Sequence, residues 1–368
     1  MLTRLYVNNY KCLVNFEWKP GALALLTGPN GSGKTSVLGS LDLLRLFVSG
    51  EGKTDTLFVE DDLTRWAGDA AQSFELGVTG SGGTYAYRLV TEMDKGRDRS
   101  RAVAESLHFD GKPLFEMADG TAQLYRDDFS AGPRFPFDWT RSGVGSLHPR
   151  HGNQKLMWFR DYMSRLLVVK VNPFAWESES DGEAERPDSS TANFASWYRY
   201  LSQERQGDLA ALFASLGEVL DGFQSLNLPK TGEKRRALRA SFRGASNGKP
   251  LEYGVHELSE GQRALLVLYT MLTLCVRSGS TVCIDEPDNF VAPREIQPWL
   301  VQLKEKCLDG DGQVLLISHH PEIIDYLAGS FGYWLDRAPN TPARIRALGD
   351  EEGELRISEL MARGWIHE

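Results

Sequence analysis

Positive charge, patterned cysteine and long apolar runs are all scarce in this chain. Lys and Arg number 41 against 50 Asp and Glu, for a formal net charge of −9. That balance excludes a globally basic nucleic-acid binder and leaves open only a local basic groove. Cys12, Cys275, Cys283 and Cys307 are the only cysteines, and no two stand at C-x-x-C spacing. Neither a disulfide framework nor a metal knuckle is indicated, and a reducing cytoplasm is the expected location. The longest apolar stretch, Ala264 to Val276, is broken by Tyr269 and threonines and is too short to span a bilayer. The N-terminus carries Arg4, Asn8 and Asn9 within a strand-like alternation, so no signal peptide is expected. No internal repeat and no run of heptads occurs. What remains is a chain of 368 residues, 41% hydrophobic and 25% charged, enough for one large or two modest soluble domains.

Against that background one stretch stands out. Gly28-Pro29-Asn30-Gly31-Ser32-Gly33-Lys34-Thr35 fits G-x-x-x-x-G-K-[ST] at every fixed position. The apolar run Ala22 to Leu26 precedes it, as a buried parallel strand would. Val37, Leu38, Leu41, Leu44 and Val48 follow at helical spacing. A strand, a glycine turn and a helix in that order make a phosphate cradle. Glycines let backbone N–H groups curl round a polyphosphate, and the helix start adds donors and the positive end of its dipole. Lys34 supplies a point charge for the β- and γ-phosphates, and Thr35 a hydroxyl for Mg²⁺.

Three later segments suit the other side of such a site, although each alone also suits ordinary structure. Thr281-Val282-Cys283-Ile284-Asp285-Glu286-Pro287 is an apolar strand ending in two carboxylates. Asp285 would hold Mg²⁺ and Glu286 would take a proton from, or orient, an attacking water. Ser259-Glu260-Gly261-Gln262 opens a helix, either as a plain N-cap or as an anion site with a bare first turn. Val314 to Ile317 is a buried strand running into Ser318-His319-His320-Pro321, from which one histidine would reach a γ-phosphate.

Elsewhere, Leu2 to Val7 and Phe16 to Trp18 alternate as paired strands. Phe74 to Val78, Tyr85 to Thr91 and Val103 to Phe109 add further strands, with turns at Gly80 to Gly83, Asp94 to Arg99 and Asp110-Gly111. Residues 117 to 155 predict irregular chain, and 176 to 191 a mobile acidic loop. Leu156 to Leu166, Phe194 to Leu201 and Leu209 to Leu220 are helical, and Leu167 to Val171 is a buried strand. A hairpin joins Arg236 to Phe242 with Leu251 to Tyr253 around Gly244 to Gly248. The expected organisation is a single α/β P-loop head over 1–368. Core halves lie at 1–72 and 251–368, an antiparallel β flank at 73–126, and a helical and irregular insertion at 127–250. The core sheet is expected to be mainly parallel.

The order Walker A, S-x-G-Q, D-E-P-D and S-H-H-P resembles the ABC-type ATPase heads of the RecF, SMC and overcoming-lysogenization-defect (OLD) group. It is most similar to the stand-alone OLD-like "AAA family ATPases" of bacterial and phage-defence systems. Val7 to Lys11 resembles the family's opening strand and N-F-[KR] motif, Ala192 to Ala195 the motif that begins its middle helices, and Ile284 to Pro293 its D-E-P-E-x-x-L-H-P run. The resemblance implies that Gly28, Pro29, Asn30, Gly31, Ser32, Gly33, Lys34, Thr35 and Ser36 bind ATP. Thr35 and Asp285 would hold Mg²⁺, Glu286 would be the base, and His319 would contact the γ-phosphate. Lys11 would approach the phosphates, and Asp288 would lie on a loop crossing a dimer. Ser259 and Gly261 would meet ATP held by a second copy, giving a homodimer or a higher even-numbered oligomer.

Ala292 stands where the family has histidine, and Asp288 where it more often has glutamate. The glutamine that often positions Mg²⁺ has only weak candidates in Gln123 and Gln154. About 225 residues without heptads separate Lys34 from Ser259, against an SMC-type arm, and about 50 follow His319, against an OLD-type nuclease domain. The resemblance implies regulation of a separately encoded effector, a nuclease or toxin, in anti-phage defence or DNA-damage sensing. Two alternatives stand beside it. One is a RecF-like repair ATPase binding DNA through Lys230 to Arg243, and the other is a scaffold or sensor that holds ATP without hydrolysing it.

Overall fold

Alternation of buried with more exposed residues marks the central strands of the largest sheet. Ala71–Gly80 and Gly83–Asp94 bury every second side chain, as strands with one face on a core must. In this computed structural model, which describes residues 1–94, 96, 99–244, 249–349 and 356–364, eight strands join in one antiparallel sheet. Their order is Phe16–Trp18, Leu2–Asn8, Ala71–Gly80, Gly83–Asp94, Arg99–Phe109, Lys112–Ala118, Thr121–Tyr125 and Ala131–Pro136. The flank expected over 73–126 is thus wider, and the largest sheet is antiparallel. Leu5 pairs with Leu76 and Val7 with Phe74, and all four are buried. The N-terminal strand therefore extends the same apolar face.

Three hairpins in this sheet turn on residues with positive φ at both central positions: Ser81-Gly82, Asp110-Gly111 and Asp119-Gly120. Such turns match the twist of antiparallel strands. The Asp119-Gly120 hairpin lies where irregular chain was expected, since Thr121–Tyr125 pairs with both Lys112–Ala118 and Ala131–Pro136. Fully buried Glu105 ties the sheet to the short helix Gly143–Ser146. Its carboxylate accepts from Ser142 Oγ and Gly143 N–H at 2.6 Å each and from Tyr87 OH at 3.0 Å.

The chain divides into two compact units, one built mainly from Met1–Leu166 and Ala328–Asp350, the other mainly from Leu167–Ser278 and Val282–Leu327. Besides the large sheet, the first unit holds the wholly buried strand Leu23–Thr27. It runs parallel to Gly332–Asp336, which pairs antiparallel with Arg344–Ala347. The helix Lys34–Val48 buries Val37, Leu38, Leu41, Leu44 and Val48, the face its spacing predicts.

In the second unit the strands Leu167–Lys170, Thr281–Asp285 and Gln313–Ile317 are neighbours in that order, the first two parallel. Phe194–Glu204 and Leu209–Val219 are the expected helices. The helix Glu260–Thr270 continues into a π-helical turn, Met271–Cys275. Such a turn displaces carbonyls from the regular ladder. Two side chains of the helix Pro293–Leu308 donate to carbonyls here, Trp299 Nε1 to Leu268 O at 3.1 Å and Lys306 Nζ to Leu272 O at 2.9 Å.

The expected hairpin forms between Arg239–Phe242 and Leu251–Gly254. Its turn residues 245–248, and residues 95, 97 and 98 of the charged turn, lie outside the described residues. The acidic stretch 176–191 is more structured than its composition predicts. Glu179–Ser180 pairs with Arg236–Ala237. Asp188 gathers the N–H groups of Ser190, Ala192 and Asn193 at 2.8–3.2 Å, a turn built on one carboxylate. Among the described residues no helix is long and apolar enough to cross a membrane.

Candidate nucleotide site

The glycine loop of the first unit has the conformation its letters predict. Gly28, Gly31 and Gly33 have φ of 144°, 78° and 109°. A Cβ on Gly28 would stand 2.0 Å from Leu335 O, and one on Gly33 2.6 Å from Cys12 Sγ, whereas Gly31 faces open space. Gly33 is the N-cap of Lys34–Val48. It offers no side-chain acceptor, and the first turn carries no acid. No acid of the helix's own first turn competes there with a phosphate for the positive end of the helix. Lys34 is buried, its ammonium 2.9 Å from Gly28 O and Pro29 O and 3.5 Å from Ser32 Oγ, so it is folded into the loop itself. These residues fit a polyphosphate.

Lys11 sits on a tight turn of positive φ in the same unit. Its ammonium lies 3.4 Å from Asp62 Oδ1 and over the Tyr10 ring. Buried Asn9 clamps the turn: its amide donates to Asp69 O and Ala71 O, and its oxygen accepts from Thr64 N–H. Gln72, which sequence reasoning passed over, donates to Asn9 O at 3.0 Å. Gln123 donates to Leu124 O and Gly132 O, and Gln154 opens the helix Gln154–Arg165 over Asp127, so the side chain of Gln123 and the backbone of Gln154 serve local structure.

In the second unit the strand Thr281–Asp285 is buried throughout and delivers Asp285 to its tip. Glu286 then enters the left-handed region at φ 53°, which a glutamate rarely occupies. Its N–H donates to Ile317 O at 2.9 Å, pinning the turn to the neighbouring strand. One carboxylate oxygen, Oε2, accepts from Lys170 Nζ at 2.6 Å and from Asn289 Nδ2 at 2.8 Å. The hydrogen bond from Lys170 holds the Glu286 carboxyl below its ordinary range, with partial burial opposing. Lys170 ends the strand Leu167–Lys170 and stands in register with Asp285. Neither partner was identified from the sequence. The available signal was two buried strands ending in opposite charges, V-V-K and C-I-D-E.

Asp288 is buried and accepts from Ser318 Oγ at 2.7 Å. Burial pushes its carboxyl up, opposed by that hydrogen bond. Of the two histidines, His320 accepts the Glu322 N–H at 3.2 Å on its ring nitrogen and so caps the following helix. His319 is exposed. Ser259 is an exposed N-cap in a reciprocal capping box. Its Oγ accepts from Gln262 N–H at 3.2 Å, and Gln262 Oε1 accepts from Ser259 N–H at 3.0 Å. A Cβ on Gly261 would lie 2.9 Å from Phe290 O, so the glycine lets the helix start meet the run after Glu286. The second unit thus joins Lys170, Glu286 and Asn289, joins Asp288 to Ser318 beside His319, and packs Gly261 against Phe290.

Among the described residues no three of His, Cys, Asp or Glu gather as a metal cluster. Mg²⁺ takes one or two protein oxygens and completes its shell with phosphate and water. Thr35 and Asp285 are hard oxygen donors of the right kind.

Residues 23–325 match the family model described as "AAA domain, putative AbiEii toxin, Type IV TA system". The OLD nuclease of Thermus scotoductus (strain ATCC 700910 / SA-01) is 46% identical over 44 residues, which are 12% of this chain and 8% of that protein. The likeness to that curated relative therefore spans a small part of its length. Two solved structures are similar over nearly the whole chain. The Smc head bound to the C-winged helix domain of ScpA has 11% identity and a TM-score of 0.58, covering 95% of this chain and 99% of that one. The Smc head domain with an extended coiled coil, bound to the C-terminal domain of ScpA derived from Pyrococcus furiosus, has 10% identity and a TM-score of 0.56, covering 100% of both. At such identities the likeness is one of fold, an SMC-head-like P-loop α/β fold. Together the matches bear out the resemblance to ABC-type ATPases of the RecF, SMC and OLD group.

Proposed function

From the premise that the chain belongs to the family described as "AAA domain, putative AbiEii toxin, Type IV TA system", we propose that it is a Mg²⁺-dependent ATPase head whose copies pair on binding ATP. The observation that carries this reading is the helix start at Gly33, with three left-handed glycines, no acid in the helix's first turn and Lys34 folded into the loop. Gly28 to Ser36 would cradle the triphosphate, with Lys11 near it. Thr35 and Asp285 would hold Mg²⁺, which supplies charge neutralisation at the β- and γ-phosphates.

Hydrolysis would run by in-line attack. The water oxygen bonds to the γ-phosphorus, the bond to the β-bridging oxygen breaks, ADP leaves, and Glu286 takes the water proton or orients it. His319 would contact the γ-phosphate. Ser259 and Gly261 would face ATP held by the other copy, while Asp288 would brace the loop between them. The whole chain would form one head of two core halves, with cytoplasmic location and a separately encoded nuclease or toxin as the partner it regulates, in anti-phage defence or DNA-damage sensing.

The DNA-binding alternative has weaker support, because Arg235 in the basic stretch is engaged by Asp181 at 2.7 Å and Glu179 at 3.8 Å. The scaffold alternative is separated by one substitution. In Glu286→Gln, ATP turnover is expected to fall by about a hundredfold or more while ATP binding persists. A wild-type protein that binds ATP and releases no phosphate at all would overturn the enzyme reading in favour of the scaffold.

A further inference from the structure

We propose that Lys170 is a positioning residue for this hydrolysis: with Asn289 it seizes one oxygen of Glu286 and leaves the other aimed at the attacking water. The inference rests on the reading of Glu286 as the base and extends it to a residue that no motif contains.

Both donors converge on the same atom. Lys170 Nζ lies 2.6 Å and Asn289 Nδ2 2.8 Å from Oε2, and neither engages Oε1. A glutamate side chain has three rotatable bonds and, unheld, samples many directions. Two converging donors remove that freedom and keep Oε1 available as an acceptor. The donors themselves are set by backbone. Lys170 is the last residue of a strand in parallel register with the strand that delivers Asp285 and Glu286. Asn289 lies three residues beyond Glu286. The Glu286 backbone is pinned to Ile317 at a positive φ. The carboxylate is therefore fixed from its own main chain, from the neighbouring strand and from the following turn. Strained backbone is retained where surrounding contacts over-determine it.

A stability role explains this poorly. The Lys170 side chain is 54% exposed and Glu286 26%. Partly exposed pairs of this kind add little to folding. Proton acceptance by a carboxylate in a catalytic role demands a set direction as much as basicity.

The test is steady-state ATP hydrolysis by the full chain, as wild type, Lys170→Met and Lys170→Arg, with melting temperatures taken alongside. Expected for Lys170→Met is a kcat lower by at least about tenfold, with KM for ATP within about twofold of wild type and unchanged melting. Lys170→Arg, which keeps a cationic donor for Oε2, should recover most of the turnover. A Lys170→Met protein as active as wild type overturns the inference and leaves the ATPase reading standing. So does a loss shared between kcat and KM with lowered melting, because that is the mark of a structural role. If wild type itself releases no phosphate, the ATPase reading falls first, and this inference with it.

Discussion

Gly28 and Gly31 share a letter and carry different obligations. Gly28 combines φ 144° with a backbone oxygen 2.0 Å from where a Cβ would be, and a backbone oxygen cannot step aside. Gly31 has φ 78° but open space around it. Gly28→Ala is therefore expected to cost about 3 kcal/mol of unfolding free energy, through strain plus overlap. Gly31→Ala should cost only about 1 kcal/mol, from the left-handed backbone alone. Urea denaturation of the two variants checks the contrast, and equal costs would show that the loop does not pack as described. At this scale the loop was legible, because G-x-x-x-x-G-K-[ST] states backbone conformation almost directly. Lys170 was not. Its partner is 116 residues away in sequence, and only the parallel register of two strands brings them together. Asp188 was hidden for a related reason: a turn centred on one carboxylate has the composition of a loop.

At the scale of elements, the turns at Ser81-Gly82 and Asp110-Gly111 were legible, whereas the Asp119-Gly120 hairpin and the pairing of Leu2–Asn8 with Ala71–Gly80 were not. Alternation marks a strand and its buried face but not its neighbour. The best test of the large sheet is Glu105, whose carboxylate joins the strand Arg99–Phe109 to Gly143–Ser146. Glu105→Ala leaves the Ser142 and Tyr87 hydroxyls and the Gly143 N–H without this acceptor and should cost about 2 kcal/mol. The carboxyl is also pushed up by burial, with its hydrogen-bond donors, the Ser142 hydroxyl first, opposing. The folded state then holds the proton more tightly than the unfolded chain. Unfolding free energy should therefore fall as pH rises from the ordinary value of 4.5 through the raised folded value, in the amount this group contributes. Tyr87, the titrating neighbour, is pushed well above its ordinary range, first by burial, and stays protonated throughout that window. Glu105→Gln should flatten that part of the stability profile. Parallel profiles for wild type and Glu105→Gln in urea melts across acid to neutral pH would rule the linkage out.

For the whole molecule the decisive residue is Ser259, because its two roles can be separated. The structure shows it as an N-cap, exposed, in a capping box with Gln262. The proposed function also asks it to face a triphosphate held by a second copy. Aspartate caps a helix about as well as serine, so Ser259→Asp should leave melting unchanged. It puts a full negative charge where an anion is meant to approach, and each copy already carries a formal net charge of −9 that disfavours close approach. In a Glu286→Gln background, where ATP should persist unhydrolysed, light scattering is expected to report a dimer with ATP and Mg²⁺. With Ser259→Asp added it should report a monomer, while ATP binding to each glycine loop continues. If the double variant still pairs on ATP, the serine-led helix takes no part in the interface and Ser259 is a cap alone. If neither protein pairs at any ATP concentration while the wild type hydrolyses ATP, the site is complete within one chain, and the head works without a second copy.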